Sequence, residues 1–279
     1  MSSPEEQAYR LLTEYSNGFM VSQVLFAACE LGVFDLLAEA PEPLGAVTVA
    51  ARLGTSSRGT ELLLDTCVSL KLLQVETRRG KASYRNTELS STYLVRASPK
   101  CQGNMLWYLA RTTYLCWGHL AQAVRDGKNQ YQEAFGVPSE ELFTAIYRSE
   151  GERLHFMRAL QDVWSVSGRR VLAAFDLSPF PVICDVGGCS GALAKECTSL
   201  YPGCQVTVFD IPEVVQTAKT HFSFPEEGRI SFCEGGLFPC RILDRCTFCP
   251  LHPFHPPLHP RLQTVTLFSA LVCSVLGFF

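Results

Sequence analysis

A basic excess is missing from this chain, and so is any long uninterrupted apolar run. Its 24 Lys and Arg face 27 Asp and Glu, for a net charge of −3. A nucleic-acid or anionic-membrane partner held by general electrostatics is therefore not expected. The first ten residues, MSSPEEQAYR, are polar and acidic where a secretory leader would need an apolar stretch. The most apolar segment, residues 265–279, falls short of the roughly 20 residues that span a bilayer. Thr266, Ser269 and Ser274 interrupt it, so it reads as an exposed, aggregation-prone tail. No repeat of fixed period is visible, which excludes solenoids and arrays. A cytoplasmic α/β protein is what these absences leave.

Cysteine, by contrast, is abundant. The thirteen cysteines are scattered through helical and strand patterns in a chain of 279 residues, with no leader before them, so reduced and mostly buried thiols are expected. That length, with 47% hydrophobic residues, suits about two domains with a sizeable core.

Residues 5–40 pattern as helix, with Gly32 as a break. Phe19, Met20, Val24, Phe26, Ala27 and Leu31 leave this helix little polar surface. A helix so apolar lies in an interface or in a core. After a loop at 41–45, VTVAARLGT reads as a short helix. The stretch 55–57 then caps a longer amphipathic helix over 58–73. QVETRRGKASYRNT follows as a hairpin turning at Arg79-Gly80, which makes a winged helix. A DNA-reading helix needs Lys and Arg that reach phosphates. Here Arg58 and Lys71 are set against Glu61 and Asp65, and the basic wing (Arg78, Arg79, Lys81, Arg85) is read as a solvated hairpin.

Residues 88–168 are again mainly helical, with a polar break at 128–138. They are dense in aromatics, including Trp107, Tyr114, Trp117, Phe143, Tyr147, Phe156 and Trp164. Such a stripe is more often core than ligand wall, but these helices lead directly into the most informative stretch of the chain.

That stretch is PVICDVGGCSGALAKECTSLYPGCQVTVFD, residues 181–210. It reads as buried strand, glycine-rich turn, helix and second strand, closed by Asp210. A βαβ unit of this kind places a ligand at its strand tips. The dinucleotide pattern Gly-x-Gly-x-x-Gly fails. Aligning its last glycine with Gly191 puts Gly188 in the middle and Val186 where the first glycine belongs. An acidic-x-Gly-x-Gly-x-Gly pattern fits better, through Asp185, Gly187 and Gly191, with Cys189 in place of its middle glycine. Loop and acid together point to a ribosyl cofactor. The backbone must approach it closely, and a carboxylate at the second strand's end can accept from ribose hydroxyls.

The turn resembles motif I of S-adenosylmethionine-dependent methyltransferases. AYRLLTEYSNGFMVSQVLFAACELGVFDLLAEA, FGVPSEELFTAIYRSEGERL and YPGCQVTVFDIPEVVQTAK are similar to segments of the hydroxyindole O-methyltransferases, over residues 5 to about 238. The resemblance implies an α/β protein in two parts. The first is a mainly helical, winged-helix dimerisation domain over 1–100. A helical linker over 101–168 lines the cleft, and a partial Rossmann-like methyltransferase domain follows over 169–238. It also implies a homodimer, or a heterodimer with a full-length chain, and methyl transfer from S-adenosyl-L-methionine to the hydroxyl of N-acetylserotonin. By the same resemblance, Tyr147, Trp164, Asp185, Gly187, Gly188, Gly191, Asp210 and Gly235 would contact the cofactor, and Phe156 and Met157 the hydroxyindole. A sulfonium cation suits the faces of Tyr147 and Trp164.

From Pro239 the composition changes. Six of the sixteen prolines, Pro239 included, and three of the six histidines lie in this stretch, with a single acidic residue, Asp244. The resemblance ends here, and with it the His-Asp segment that carries the family's catalytic base, so no catalytic residue is assigned. His155, alone on its helix beside Phe156, is a poor substitute. Cys246, Cys249, His252, His255 and His259 imitate metal spacing, but two proline-rich residues leave no room for a finger, and no metal is expected. Without the family's remaining strands, the strand at 181–185 is expected to be an exposed edge unless a partner or the tail covers it.

Overall fold

The computed structural model describes residues 3–78, 80–137, 142–223, 228–235 and, by backbone alone, 264–268. It divides into two compact units, residues 1–110 and 111–279. In the first, α1 (Pro4–Leu31) begins with a reciprocal cap. Ser3 Oγ accepts from the Glu6 N–H at 3.1 Å and the Glu6 carboxylate accepts from the Ser3 N–H at 2.8 Å, with Pro4 in the first turn. It ends at Gly32, whose φ of 78° only glycine adopts cheaply. There the chain bends by 52° into α2 (Val33–Glu39). The two halves of α1 differ. Ala28 is fully buried, whereas Tyr9, Leu12, Tyr15 and Phe19 are exposed within this chain.

α3 (Ala46–Leu53) and α4 (Ser57–Ser69) follow, the latter capped by Ser56 Oγ accepting from the Gly59 N–H at 3.1 Å. The helix stops short of the expected residue 73 because Lys71 turns left-handed, at φ 60°, to enter the wing. The wing is the antiparallel pair β1 (Leu73–Arg78) and β2 (Lys81–Asn86). Its inner residues Leu73 and Tyr84 join Ala28, Val33, Phe34, Val49, Leu64 and Cys67 in one core. Tyr84 satisfies its buried hydroxyl by donating to Asp65 Oδ1 at 2.7 Å, and Asn86 Nδ2 donates to the Phe34 carbonyl at 2.8 Å. α5 (Glu88–Tyr93) and α6 (Gly103–Tyr108) close the unit.

In the mainly helical stretch before the polar break, the chain forms α6, a π-helical turn at Leu109–Thr113, then α7 (Tyr114–Trp117) and α8 (Leu120–Asp126). The run after the polar break also divides. α9 (Tyr131–Phe135) and α10 (Leu142–Ile146) are short, and Ser149 caps a new helix, α11 (Glu150–Leu172), accepting from the Glu152 N–H at 3.2 Å. Among the described residues no single helix is long and apolar enough to cross a membrane.

The sheet of the second unit is parallel throughout. It comprises β3 (Val182–Val186), β4 (Gln205–Asp210), β5 (Ile230–Glu234) and β6 (Thr264–Phe268), in the order β5-β4-β3-β6. α12 (Ala192–Leu200) connects β3 to β4, and α13 (Pro212–His221) connects β4 to β5. Ile183, Val206 and Val208 pack with Leu193 and Cys197 of α12 and with Trp164 and Leu172 of α11. The first strand is not a bare edge, because the tail covers it. β6 pairs with β3 over its full length, from Val182 opposite Thr264 to Val186 opposite Phe268. The reason lies in residue type, since TVTLF is β-branched or apolar throughout and uncharged.

None of the described cysteines is in a disulfide, and several thiols are deeply inert. Burial pushes Cys29 and Cys197 up to about 12, and Cys67 and Cys116 to about 11.

Candidate cofactor site

Three strand ends meet at the site. β3 ends at Val186, and the Gly187 N–H donates to the Phe209 carbonyl of β4 at 2.8 Å. β4 ends at Asp210, whose carbonyl accepts from the Gly235 N–H, just past β5, at 3.0 Å. The expected turn, acid and further glycine are thus brought together by backbone bonds.

The turn explains its own glycines. Positions 187, 189 and 191 all have positive φ, at 67°, 54° and 74°. Glycine adopts that region freely, whereas an L residue pays about 1–2 kcal/mol. Cys189 therefore sits in the strained slot of an alternating glycine pattern. Gly188 serves a different need, close approach. A Cβ there would lie 2.7 Å from Asp185 Oδ2 and 2.8 Å from Val208 Cγ1. Gly235 is similar, because its Cβ would meet the Phe209 ring at 2.8 Å. The strain at Cys189 can be measured by comparing Cys189→Ala with Cys189→Gly. Both lack the thiol, so the glycine variant is expected to be the more stable by about 1 kcal/mol in urea unfolding. Equal stabilities would mean that the slot carries no strain.

Asp210 is 9% exposed. Its Oδ2 accepts from the Cys189 N–H at 2.9 Å and its Oδ1 from the Ile211 N–H at 2.8 Å. Burial pushes the carboxyl up from 3.8 to about 6, and the two N–H donors oppose that rise. A carboxylate has about four lone-pair directions. Two are used here, which leaves capacity for two more donors. That capacity, together with the close backbone, fits a ribose diol.

Asp185 is fully buried beneath Gly188. Trp164 is in the core of the unit, 8% exposed, and packs near Gly168, where α11 meets α12. Tyr147 is half-buried in the turn before α11, its ring edge-on to Phe156 at 5.9 Å. Phe156 and Met157 are both buried. The expected metal-like residues of the tail lie outside the described residues, and no cluster that could hold a metal occurs among the described ones.

Two features escaped the sequence reading. Arg148 lies 4.3 Å over the Phe135 ring and pairs with Glu152 at 3.0 Å, which braces the turn that carries Tyr147. Its i,i+4 spacing to Glu152 was the available signal. Arg153 Nε also donates to Thr217 Oγ1 at 2.8 Å, tying α11 to α13. Arg153 and Thr217 line an open cleft of about 390 Å³ with Glu150, Glu213 and Glu234. That cleft contains neither the glycine turn nor Asp210, so the turn, built for close backbone approach, is the better site.

A parallel sheet with a left-handed glycine turn after one strand and a buried acid closing the next defines a Rossmann-like domain for a ribosyl cofactor. Residues 117–244 match the O-methyltransferase domain, and residues 13–96 match the O-methyltransferase dimerisation domain. Acetylserotonin O-methyltransferase of Homo sapiens is 73% identical over 238 residues, covering 85% of this chain and 69% of that protein. The Gallus gallus enzyme is 56% identical over 239 residues, covering 85% and 69%. The crystal structure of human N-acetylserotonin methyltransferase in complex with SAM superposes with a TM-score of 0.79 at 73% identity, over 85% of this chain and 68% of that one. PigF with SAH, 24% identical, shares the fold with a TM-score of 0.69 over 81% and 66%. The chain belongs to the S-adenosylmethionine-dependent O-methyltransferase family, with acetylserotonin O-methyltransferases among its near relatives.

Proposed function

We propose that this chain binds S-adenosyl-L-methionine at residues 187–191 and Asp210, pairs through its N-terminal unit, and is impaired in methylating the hydroxyl of N-acetylserotonin. The observation that carries the reading is Asp210, a buried carboxylate with two oxygens bonded to backbone N–H and further lone pairs to offer. Gly187, Gly188, Gly191 and Gly235 keep side chains out of the cofactor's approach, while Tyr147 and Trp164 lend aromatic surface. When bound, the sulfonium would supply the methyl group. Phe156 and Met157 belong to the helix assigned to the hydroxyindole acceptor.

The acceptor hydroxyl ionises near pH 10 and needs a general base at neutral pH. The sequence beyond Gly235 holds no His-Asp pair, and residues 264–268 carry no acid or base. The expected result is cofactor binding in calorimetry with no methylated N-acetylserotonin in a radiometric assay. Sustained turnover by the purified chain would overturn the impairment.

A second role follows from α1. Tyr9, Leu12, Tyr15 and Phe19 are exposed within one chain, and the segment matching the dimerisation domain starts at residue 13. The chain is suited to forming a cytoplasmic homodimer, or a heterodimer in which it restrains a full-length sister chain. Co-expression with human acetylserotonin O-methyltransferase should yield a mixed dimer by light scattering. Two separate monodisperse species would exclude that role.

A further inference from the structure

The matched O-methyltransferase segment ends at residue 244, yet the strand beside β3 comes from residues 264–268. We propose that this segment is a surrogate sheet strand, which makes β3 interior and thereby holds the turn at 187–191 in its cofactor-binding shape. The cofactor part rests on the function proposed above. The strand part stands on the backbone alone.

β3 needs two neighbours. Ile183, Cys184, Asp185 and Val186 are all buried. A buried N–H or C=O left unpaired costs about 1–3 kcal/mol. In a strand these groups alternate sides. The Gln205 N–H donates to the Pro181 carbonyl and the Gly187 N–H to the Phe209 carbonyl, so the odd-numbered residues of β3 face β4. Val182, Cys184 and Val186 therefore face β6. By the same register, Val265 and Leu267 turn their backbone groups towards β3, while Thr264, Thr266 and Phe268 turn theirs away.

The register also sets where the two strands end. Phe268 stands opposite Val186, the last residue before the turn. β6 and β3 thus finish at one level, the level at which ligands bind in open α/β sheets. Residues 235–263 separate β5 from β6, well above the dozen or so that a parallel crossover needs.

The alternation supplies its own control. Proline removes an N–H, and it is tolerated on an edge strand only where that N–H faces away from the neighbour. Leu267→Pro removes a bond to β3, whereas Thr266→Pro, one residue away, does not. Amide hydrogen exchange is measured on the full-length wild type and both variants, with S-adenosylhomocysteine binding measured in parallel. The expected result is that Leu267→Pro lowers protection at Cys184 and Val186 at least 100-fold, while Thr266→Pro changes it less than 5-fold. A synthetic peptide spanning 262–270 should restore protection to Leu267→Pro in trans. If Leu267→Pro unfolds the whole second unit while Thr266→Pro does not, the strand is again required. Equal protection in the two variants, whether both retained or both lost, overturns the surrogate strand. If Leu267→Pro loses protection but binds S-adenosylhomocysteine like the wild type, the strand stands and its hold on the turn falls. If even the wild type binds no S-adenosylhomocysteine, the exchange result still decides the strand, and only the cofactor reading is lost.

Discussion

Gly188→Ala is expected to destabilise the second unit by about 3 kcal/mol and to abolish cofactor binding. The effect is steric. Gly188 does not have positive φ, so alanine would incur no conformational penalty there. Its Cβ would instead lie 2.7 Å from Asp185 Oδ2 and 2.8 Å from Val208 Cγ1. Both neighbours are fully buried, and neither can swing into solvent. Relief requires moving a buried carboxylate or separating β3 from β4. Forcing extra atoms into a packed core costs about 1–3 kcal/mol, occasionally more, and two contacts under 3 Å to fully buried neighbours place this site at the upper end. Urea unfolding monitored in the second unit gives the answer. A loss below about 0.5 kcal/mol would show that the turn can shift as a body.

Asp210→Asn is expected to weaken cofactor binding roughly 10- to 100-fold, because hydrogen bonds to a charged group contribute about 1.5–3 kcal/mol. It should also remove a pH dependence of distinctive sign. The folded carboxyl titrates near 6 and the unfolded one near 3.8, so protonation favours the folded state. Asp210 therefore contributes its full stability below about pH 4 and loses it as pH rises through 6, a change on the order of 3 kcal/mol. Most surface carboxylates act in the opposite direction, so the useful quantity is wild type minus Asp210→Asn across pH 4–7. That difference should fall with rising pH. Binding should follow the reverse course in the wild type, tightening as Asp210 ionises above pH 6, and should be flat in the variant. A parallel pH profile in both proteins would remove Asp210 from the site.

Much of this was legible in the residues because it rests on local rules. Gly32 ends α1 and Arg79-Gly80 marks the wing. Asp185, Gly187, Gly191 and Asp210 mark the strand tips by spacing alone. What escaped depends on partners distant in the chain. The role of Gly188 is set by Asp185 and Val208, and the bond from the Cys189 N–H to Asp210 spans 21 positions. Ser149 is an ordinary capping residue, but it sits in a helical pattern continuous enough to hide the break. β6 was hardest. TVTLF has strand character, but it lies in a tail whose composition suggests no partner, and its place is decided by an edge 82 residues earlier that would otherwise be bare.

The buried thiols turn the protein into its own clock. At neutral pH a thiol titrating near 12 is thiolate in only on the order of one molecule in 10⁵, and alkylating reagents attack the thiolate. Cys67 in the first unit, fully buried and pushed up to about 11, and Cys197 in the second, fully buried, thus stay silent while their surroundings remain closed. Each becomes reactive only when its own unit opens. The order in which iodoacetamide labels them, read peptide by peptide, would rank the two units by how often they breathe.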